Sequence, residues 1–380
     1  MRRRKIMLAF GTRPEAIKMA PLYHALAALP DIFETQLCVT AQHREMLDQV
    51  LKVFEVRPDI DLNIMRPGQD LFDVTSAVLL GMRDVLREHR PDALLVHGDT
   101  TTTLASAMAG FYQGIPVGHV EAGLRTHDFQ APFPEEFNRH VATKLTRWHF
   151  APTELNRQNL LAERVNDADI TVTGNTVIDA LFWMLERIES DAARRSAISA
   201  LLSEGLPFDW RKERFVLITG HRRENFGQGF LEICEALRDL AVRHPDVRFV
   251  YPVHLNPQVQ RPVNDILVGL SNVHLLPPLD YEPFVFLLKH CHIVLTDSGG
   301  IQEEAPSLGK PVLVMRDVTE RPEAINAGTV RLLGAHKDKI VSQVSELLNE
   351  PEIYRAMSWA HNPYGDGKAC ARIVDILSKI

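Results

Sequence analysis

The sequence predicts an α/β protein with two doubly wound domains, each built on a parallel sheet. Three observations support this prediction. The 380-residue chain is long for one hydrophobic core and suits two domains. Short apolar runs rich in β-branched residues alternate with helical patterns along the whole chain. A polar loop follows most of these runs, and folds of this kind bind ligands at the carboxyl ends of their strands.

Each apolar run predicts a buried strand. The predicted strands are residues 5–10, 35–40, 93–97, 117–120, 148–151 and 170–173 in the first half, and 215–219, 249–253, 273–276, 293–296, 311–315 and 330–333 in the second. Helical patterns lie between them, such as residues 44–54 with one apolar face. Residues 179–212 are helical and then polar, and predict a linker region. A helical tail is predicted at about residues 368–379.

These patterns predict the domain organisation. The amino-terminal domain covers residues 1–178 and is completed by the carboxy-terminal helix, residues 367–380, which we expect to pack back on it. The second domain covers residues 179–366. We expect the two domains to face one another across a cleft, because both would direct their ligand loops toward it.

Composition excludes several classes of protein. Hydrophobic residues make up 45% of the chain and charged residues 24%, as in ordinary soluble proteins. A net charge of −7 argues against a general nucleic-acid binder, which needs a basic surface. The four cysteines are scattered without a C-x-x-C pair, which argues against disulfides and structural zinc. No 18-residue apolar stretch or signal-peptide pattern occurs. We therefore expect a cytoplasmic protein with no membrane partner.

Three carboxylates follow predicted strands of the first half. Asp99 comes after the strand at 93–97, Glu121 comes after the strand at 117–120, and Glu135 lies in the first turn of a later helix. Helix capping explains Asp99 and compensation of the helix dipole explains Glu135, so each also has a structural interpretation. Together, acids from different loops of one domain can divide the acid and base roles of a reaction.

Groups that bind anions are spread over both halves. Arg13 and Lys18 follow the first strand, and His221 and Arg321 follow strands of the second half. Ser298-Gly-Gly300 opens a helix, whose free N–H groups suit a phosphate. This distribution suits a nucleotide diphosphate that is anchored in the second domain while its attached group reacts in the first.

Several common motifs are absent from the sequence. No G-x-G-x-x-G follows a strand, which argues against a nicotinamide cofactor, and no Walker motif occurs. No H-E-x-x-H occurs, and His97 with Asp99 cannot hold a metal alone. We therefore predict neither a cofactor nor a catalytic metal.

Nine motifs resemble those of one enzyme family. They are GTRPEAIK (11–18), HGDTTT (97–102), GHVEAGLR (118–125), PEE (134–136), TGNT (173–176), GHRRE (220–224), DSGGIQEE (297–304), TERPE (319–323) and NPYGDG (362–367). They resemble the bacterial non-hydrolysing UDP-N-acetylglucosamine (UDP-GlcNAc) 2-epimerases, from residue 5 to the last helix. The resemblance implies two Rossmann-like domains in a GT-B-like arrangement and a homodimer. It also implies interconversion of UDP-GlcNAc and UDP-N-acetylmannosamine (UDP-ManNAc), which would supply surface polysaccharides.

The resemblance also implies roles for individual residues. Catalysis would use Asp99, Glu121, Glu135 and His221, and substrate binding would use Arg13, Lys18, Phe284, Ser298, Gly299, Gly300, Glu304 and Arg321. The family also binds a second UDP-GlcNAc as an activator, with candidate contacts at Gln42, His43, Arg44, Gln69, Glu136 and His254. One position departs from the family pattern, because Leu279 stands where a relative has glutamine.

The chemistry of the sugar agrees with this resemblance. The C2 hydrogen of an aminosugar is not acidic, so direct proton exchange is too slow. Breaking the C1–O bond to UDP makes that proton removable, and elimination to 2-acetamidoglucal followed by re-addition of UDP inverts C2. The sequence does not say which carboxylate acts as the base in each direction. Three alternatives stay open: a hydrolysing 2-epimerase, a GT-B glycosyltransferase and a non-catalytic nucleotide-sugar sensor.

Overall fold

The chain forms two compact units. The structure is a computed structural model that describes residues 2–41, 44–319 and 321–380, without the side chains of Arg44 and Glu45. One unit comprises the described residues up to Trp183 together with Tyr364–Ile380, and the other comprises Met184–Pro363.

Each unit contains one parallel sheet. The strands are β1 (Arg4–Phe10), β2 (Phe33–Val39), β3 (Ile60–Asp61), β4 (Ala93–His97), β5 (Val117–Val120), β6 (Trp148–Ala151), β7 (Ile170–Val172), β8 (Phe215–Thr219), β9 (Arg248–Pro252), β10 (Val273–Leu276), β11 (Ile293–Thr296), β12 (Val312–Val314) and β13 (Val330–Leu332). Their order is β3-β2-β1-β4-β5-β6-β7 in the first sheet and β10-β9-β8-β11-β12-β13 in the second. Both orders run outward in two directions from the first strand of the unit, as in doubly wound folds.

Helices connect the strands. They are α1 (Arg13–Ala27), α2 (Arg44–Val53), α3 (Leu71–His89), α4 (Thr101–Tyr112), α5 (Glu135–Leu145), α6 (Glu154–Ala162), α7 (Thr176–Ser190), α8 (Ala192–Gly205), α9 (Gln228–Arg243), α10 (Pro257–Leu267), α11 (Tyr281–His290), α12 (Gly299–Ser307), α13 (Pro322–Asn326), α14 (Lys337–Asn349), α15 (Pro351–Ser358) and α16 (Ala369–Leu377). Helices α7 and α8 occupy most of the predicted linker region. Among the described residues, no helix combines the length and apolar character needed to cross a bilayer.

The predicted fold class is confirmed. The central strands are buried along their length because helices cover the sheets, which is why they read as continuous apolar runs. All twelve predicted strands are present, with ends shifted by at most two residues. Strand β3 was not predicted, since a two-residue strand carries no alternation pattern.

The carboxy-terminal helix packs on the amino-terminal unit, as predicted. The carboxylate of Asp179 in α7 accepts hydrogen bonds from the backbone N–H groups of Ala369 (3.1 Å) and Cys370 (2.8 Å) at the start of α16. An acceptor at this position satisfies N–H groups that the helix itself cannot pair. The returning chain also touches the loop after β7, where Gly365 and Gly174 pack so closely that a Cβ on Gly365 would lie 3.1 Å from the Gly174 Cα.

Candidate active site

A buried carboxylate joins two loops at the carboxyl end of the first sheet. Glu15, in the first turn of α1, accepts hydrogen bonds from the N–H groups of Gly11 (3.1 Å) and Thr12 (2.8 Å). It also accepts the hydroxyl groups of Thr100 (2.6 Å) and Thr103 (3.2 Å), in the segment after β4. Burial raises the pKa of Glu15 although these donors oppose the shift. Glu15 therefore fixes the loop of Arg13 against the loop of Asp99.

Asp99 is held by an arginine on α5. The Arg139 guanidinium donates to Oδ2 of Asp99 from Nε (3.0 Å) and Nη2 (2.5 Å), and its Nη1 donates to Glu136 (2.9 Å). Burial disfavours the charged guanidinium, but the two acids outweigh it, so the pKa of Arg139 is raised. Asn138 donates to the Asp99 carbonyl oxygen (2.8 Å). The fork thus fixes the orientation of the Asp99 carboxylate.

Glu136 organises the loop before α5. Its side chain is fully buried and accepts the N–H groups of Thr126 (3.0 Å) and His127 (2.9 Å) as well as Arg139. Burial alone would raise the pKa of Glu136, but these donors outweigh burial and lower it. The predicted contact of Glu136 with a second nucleotide therefore competes with these donors and with Nε2 of His140, which lies 3.2 Å from Oε1.

Glu121 sits in a strained conformation beside a lysine. Its φ angle is 66°, in the left-handed region that residues other than glycine rarely occupy. Its Oε2 accepts hydrogen bonds from Nζ of Lys18 and from Nδ2 of Asn175 (2.8 Å). The side chains of Lys18 and Glu121 are only 12% and 10% exposed, so water screens this ion pair weakly.

Two buried histidines underlie these acids. His119 is fully buried and its Nε2–H donates to the Gly98 carbonyl oxygen (2.7 Å), which fixes the loop after β4. Burial lowers the pKa of His119 to about 3 and that of His97 to about 4, so both rings are neutral at neutral pH. They therefore add no positive charge to the site.

Glu135 and Arg13 have polar atoms without protein partners. Oε2 of Glu135 is shielded from solvent and has no hydrogen-bond partner in the described chain. The Arg13 side chain makes no hydrogen bond or ion pair with the residues that the structure describes, although Arg13 is only partly exposed. An unmet buried carboxylate oxygen and an unpaired guanidinium at the same sheet end can both serve a polar ligand.

In the carboxy-terminal unit, Asp297 shapes the loop after β8. It follows β11, is fully buried, and accepts the N–H groups of His221 and Arg222 at 2.8 Å each. The ring of His221 stacks on His254 with a centroid distance of 5.1 Å. Burial lowers the pKa of His221, with Asp297 opposing the shift and His254 reinforcing it.

The start of α12 offers an open surface. A Cβ added to Gly300 would meet no heavy atom within 4 Å, so a ligand can approach this backbone closely. The surrounding polar side chains are paired: Arg321 Nε donates to Glu303 (2.7 Å), and the Tyr281 hydroxyl donates to Glu304 (2.9 Å). Burial and Glu304 raise the pKa of Tyr281 well above its usual value. Paired side chains therefore surround the start of α12.

The described residues contain no group of three or more His, Cys, Asp or Glu side chains arranged to hold a metal ion.

The sequence pattern of the family described as UDP-N-acetylglucosamine 2-epimerase matches residues 25–378.

The chain belongs to the UDP-N-acetylglucosamine 2-epimerase family.

Relatives cover this epimerase-family chain almost entirely. The UDP-N-acetylglucosamine 2-epimerase of Escherichia coli K12 is 60% identical over 373 residues, 98% of each chain. The crystal structure of the Neisseria meningitidis UDP-GlcNAc 2-epimerase bound to UDP-GlcNAc is 50% identical, covers 99% of this chain and 100% of its own, and has a TM-score of 0.90. The Methanocaldococcus jannaschii UDP-GlcNAc 2-epimerase, in complex with UDP-GlcNAc and UDP, is 32% identical over 99% of this chain and all of its own, with a TM-score of 0.80. The predicted epimerase family is confirmed.

The sequence-predicted site residues fall into two groups in this member of the epimerase family. Asp99, Glu121, Glu135, Arg13 and Lys18 lie at the carboxyl end of the first sheet. The other predicted residues follow strands of the second sheet or lie on its helices: His221, Phe284, Ser298, Gly299, Gly300, Glu304 and Arg321.

The candidate activator contacts are more scattered in this epimerase-family chain. Gln42, His43 and the side chain of Arg44 lie outside the described residues. Gln69 donates to the Ile64 carbonyl oxygen (2.9 Å) and borders a cavity of about 570 Å³ between residues 62 and 81. The activator role of these residues stays a prediction.

Sequence reasoning missed the residues that orient the acids and the loop of His221. They are Glu15, Arg139, Asn175 and Asp297. The pattern Thr12-x-x-Glu15 is a capping-box signature and could have singled out Glu15. The spacing of Glu136 and Arg139 predicts an ion pair on one helix face. Nothing in the sequence signals that Arg139 also reaches Asp99, because 40 residues separate them.

Proposed function

We propose that this protein interconverts UDP-GlcNAc and UDP-ManNAc by eliminating UDP and adding it back. The observation that carries the proposal is the set of acids at the end of the first sheet. Asp99 is fixed by Arg139, Glu121 is fixed by Lys18 and Asn175, and Glu135 has an unmet oxygen. Relatives named for this epimerisation cover the whole chain.

The elimination requires a base and a stabilised leaving group. The C1–O bond breaks and UDP departs with the electron pair, while a carboxylate takes the C2 proton and a C1=C2 double bond forms. UDP then adds back to C1 as an acid delivers a proton to the other face of C2. One acid must therefore be ionised when the other is protonated, and carboxylates with different partners supply such a pair.

The first unit supplies the proton chemistry. Glu121 faces an ammonium group, which favours its carboxylate form, and so it suits the role of base. Glu135 has a shielded oxygen without a donor in the described chain, so this oxygen is open to the substrate and suits the role of the acid. Asp99 is clamped by a guanidinium and suits the positioning of the sugar.

The second unit supplies the diphosphate anchor. The N–H groups at the start of α12 and the open space over Gly300 suit phosphate oxygens. His221 is 44% exposed and lies on the neighbouring loop, so it can donate to the departing UDP. By analogy with oxyanion-hole deletions, each strong donor contributes about 2.7–4 kcal/mol to the transition state.

A second UDP-GlcNAc would act as an activator, and the protein would act as a cytoplasmic homodimer that supplies ManNAc for surface polysaccharide. The stack of His254 on His221 supports the binding of an activator, since a ligand that touches His254 adjoins the diphosphate anchor. The four cysteines are free and buried, as suits a reducing compartment.

NMR analysis of the products tests the proposed function. Purified protein and UDP-GlcNAc alone should give UDP-ManNAc, with the nucleotide still attached. Free ManNAc together with UDP would identify a hydrolysing epimerase instead. Turnover that requires an added acceptor would identify a glycosyltransferase. If the wild type gives no product while Asp99→Asn, Glu121→Gln and Glu135→Gln bind UDP-GlcNAc as it does, the protein is a sensor.

A further inference from the structure

His97 has a buried ring whose polar atoms have no assigned role. It is the last residue of β4 and is 3% exposed. Neither ring nitrogen has a hydrogen-bond partner in the described part of the chain. A neutral imidazole carries one N–H donor and one acceptor nitrogen, and burying both without partners is costly. Such a ring, at the end of β4 beside the candidate acid Glu121, points to a partner that it meets during the reaction.

The ring faces Glu121. Nε2 of His97 lies 3.9 Å from Oε2 of Glu121, about 1 Å beyond the length of an N–H···O hydrogen bond. The same Oε2 accepts from Lys18 and Asn175. Nε2 of His97 is therefore a third potential donor beside Oε2 of Glu121, which already accepts two hydrogen bonds.

The charges around the ring determine its protonation state. Burial lowers the pKa of His97 to about 4, Glu121 and Asp99 oppose this shift, and Lys18 reinforces it. His119, on the neighbouring strand β5, is also neutral at neutral pH, as its lowered pKa shows. His97 can therefore donate one hydrogen bond without bringing a second positive charge to Glu121.

We propose that His97 is a positioning residue for Glu121, and that its Nε2–H donates to Oε2 when Lys18 turns to the diphosphate of the nucleotide sugar. The inference rests on the proposed function and on the substrate-binding role that the sequence resemblance implies for Lys18. A neutral donor stabilises a carboxylate less than an ammonium group does. The exchange of partners thus makes Glu121 a stronger base once the substrate is bound, while it keeps the carboxylate oriented.

Three substitutions of His97 separate the hydrogen bond from the bulk of the ring. A glutamine amide reaches the position of Nε2, an asparagine amide reaches only that of Nδ1, and phenylalanine fills the space without a donor. We expect kcat for C2 exchange to fall about 10- to 100-fold in His97→Phe and His97→Asn, with KM changed far less. His97→Gln should recover most of the loss. In the dependence of kcat on pH, the midpoint of the fall in activity toward acid should shift in His97→Phe and not in His97→Gln.

Four results decide between the proposal and its alternatives. Wild-type kcat and pH profile in His97→Phe, or equal activity of the Asn and Gln variants, would overturn the role of His97. Absence of exchange in the wild type would instead overturn the proposed function. NMR of the wild-type protein with ¹⁵N-labelled histidine needs no variant. A proton on Nε2 of His97 in the presence of UDP-GlcNAc is expected, and a ring protonated only at Nδ1 would refute the proposal.

Discussion

The carboxylate of Glu15 accepts a 2.6 Å hydrogen bond from the hydroxyl of Thr100, which joins the start of α1 to the loop that carries Asp99. Two charged groups of the candidate site, Arg13 and Asp99, thus take their positions from one buried acid. The alignment of reacting groups contributes strongly to catalysis, so small displacements of this frame are costly.

Glu15→Gln tests this frame. A glutamine amide has one acceptor oxygen and one NH₂ group, so it cannot accept from Gly11 and Thr12 and from Thr100 and Thr103 at the same time, and the two loops should loosen. We expect kcat to fall about 10- to 100-fold, since the variant leaves buried donors unpaired. The matched control is Asp73→Asn, which alters an exposed capping box at the same position of α3 and should leave kcat within about twofold. Equal kcat values for the two variants would contradict the role of Glu15 in positioning the two loops.

Arg139→Lys tests the clamp on Asp99. A lysine ammonium carries all its donors on one nitrogen and cannot span Asp99 and Glu136 as the planar guanidinium does, so Asp99 should lose its orientation. Steady-state kinetics should show kcat reduced about 10- to 100-fold.

A surface arginine provides the control for that clamp. Arg157 binds Asp167 through Nε (3.0 Å) and Nη2 (2.5 Å) and Glu154 through Nη1 (2.7 Å), with the same fork geometry at a solvent-exposed position. Arg157→Lys should leave kcat unchanged within about twofold, because exposed ion pairs contribute little. A similar loss of activity in both variants would mean that Arg139 acts only through general stability.

Gly300→Ala should change stability and nucleotide affinity in opposite directions. The added Cβ meets no protein atom, and alanine favours a helix over glycine by about 0.8–1.0 kcal/mol, so the melting temperature should rise slightly. The same methyl group occupies the space proposed for the diphosphate, so calorimetry should show UDP binding weakened about tenfold or more. Unchanged UDP affinity would place the diphosphate elsewhere.

The buried histidines predict a loss of stability in acid. Because burial lowers the pKa of His97 from 6.5 to about 4, the unfolded chain takes up this proton before the folded chain does as the pH falls. The stability is thus complete above pH 6.5 and is lost progressively toward pH 4. At 1.36 kcal/mol per pH unit, His97 accounts for about 3 kcal/mol over this range.

Chemical denaturation at a series of pH values checks this loss. The difference in unfolding free energy between wild type and His97→Gln should shift by about 3 kcal/mol against the wild type between pH 6.5 and 4, since glutamine does not titrate. A difference that does not depend on pH would show that His97 titrates normally.

The sequence predicted the sheets and the positions of the acids because both follow from local patterns. Buried parallel strands read as apolar runs, and the residue after such a run lies at the ligand-binding edge. Asp99, Glu121 and the Ser298 turn were found in this way.

Partnerships across the fold could not be predicted from such patterns. Lys18 and Glu121 are 103 residues apart, and His221 and Asp297 are 76 residues apart. Only the strand order brings each pair together. The strained φ angle of Glu121 also leaves no mark on the sequence, since this angle results from the loops packed around it.

Incubation with UDP-GlcNAc in D₂O probes the proposed elimination itself, because C2 exchange requires the C–H bond to break. Deuterium should appear at C2 in both UDP-GlcNAc and UDP-ManNAc with the wild type, and little or none should appear with Glu121→Gln. Recovery of unlabelled UDP-GlcNAc without any manno isomer, even at high substrate concentration, would contradict it.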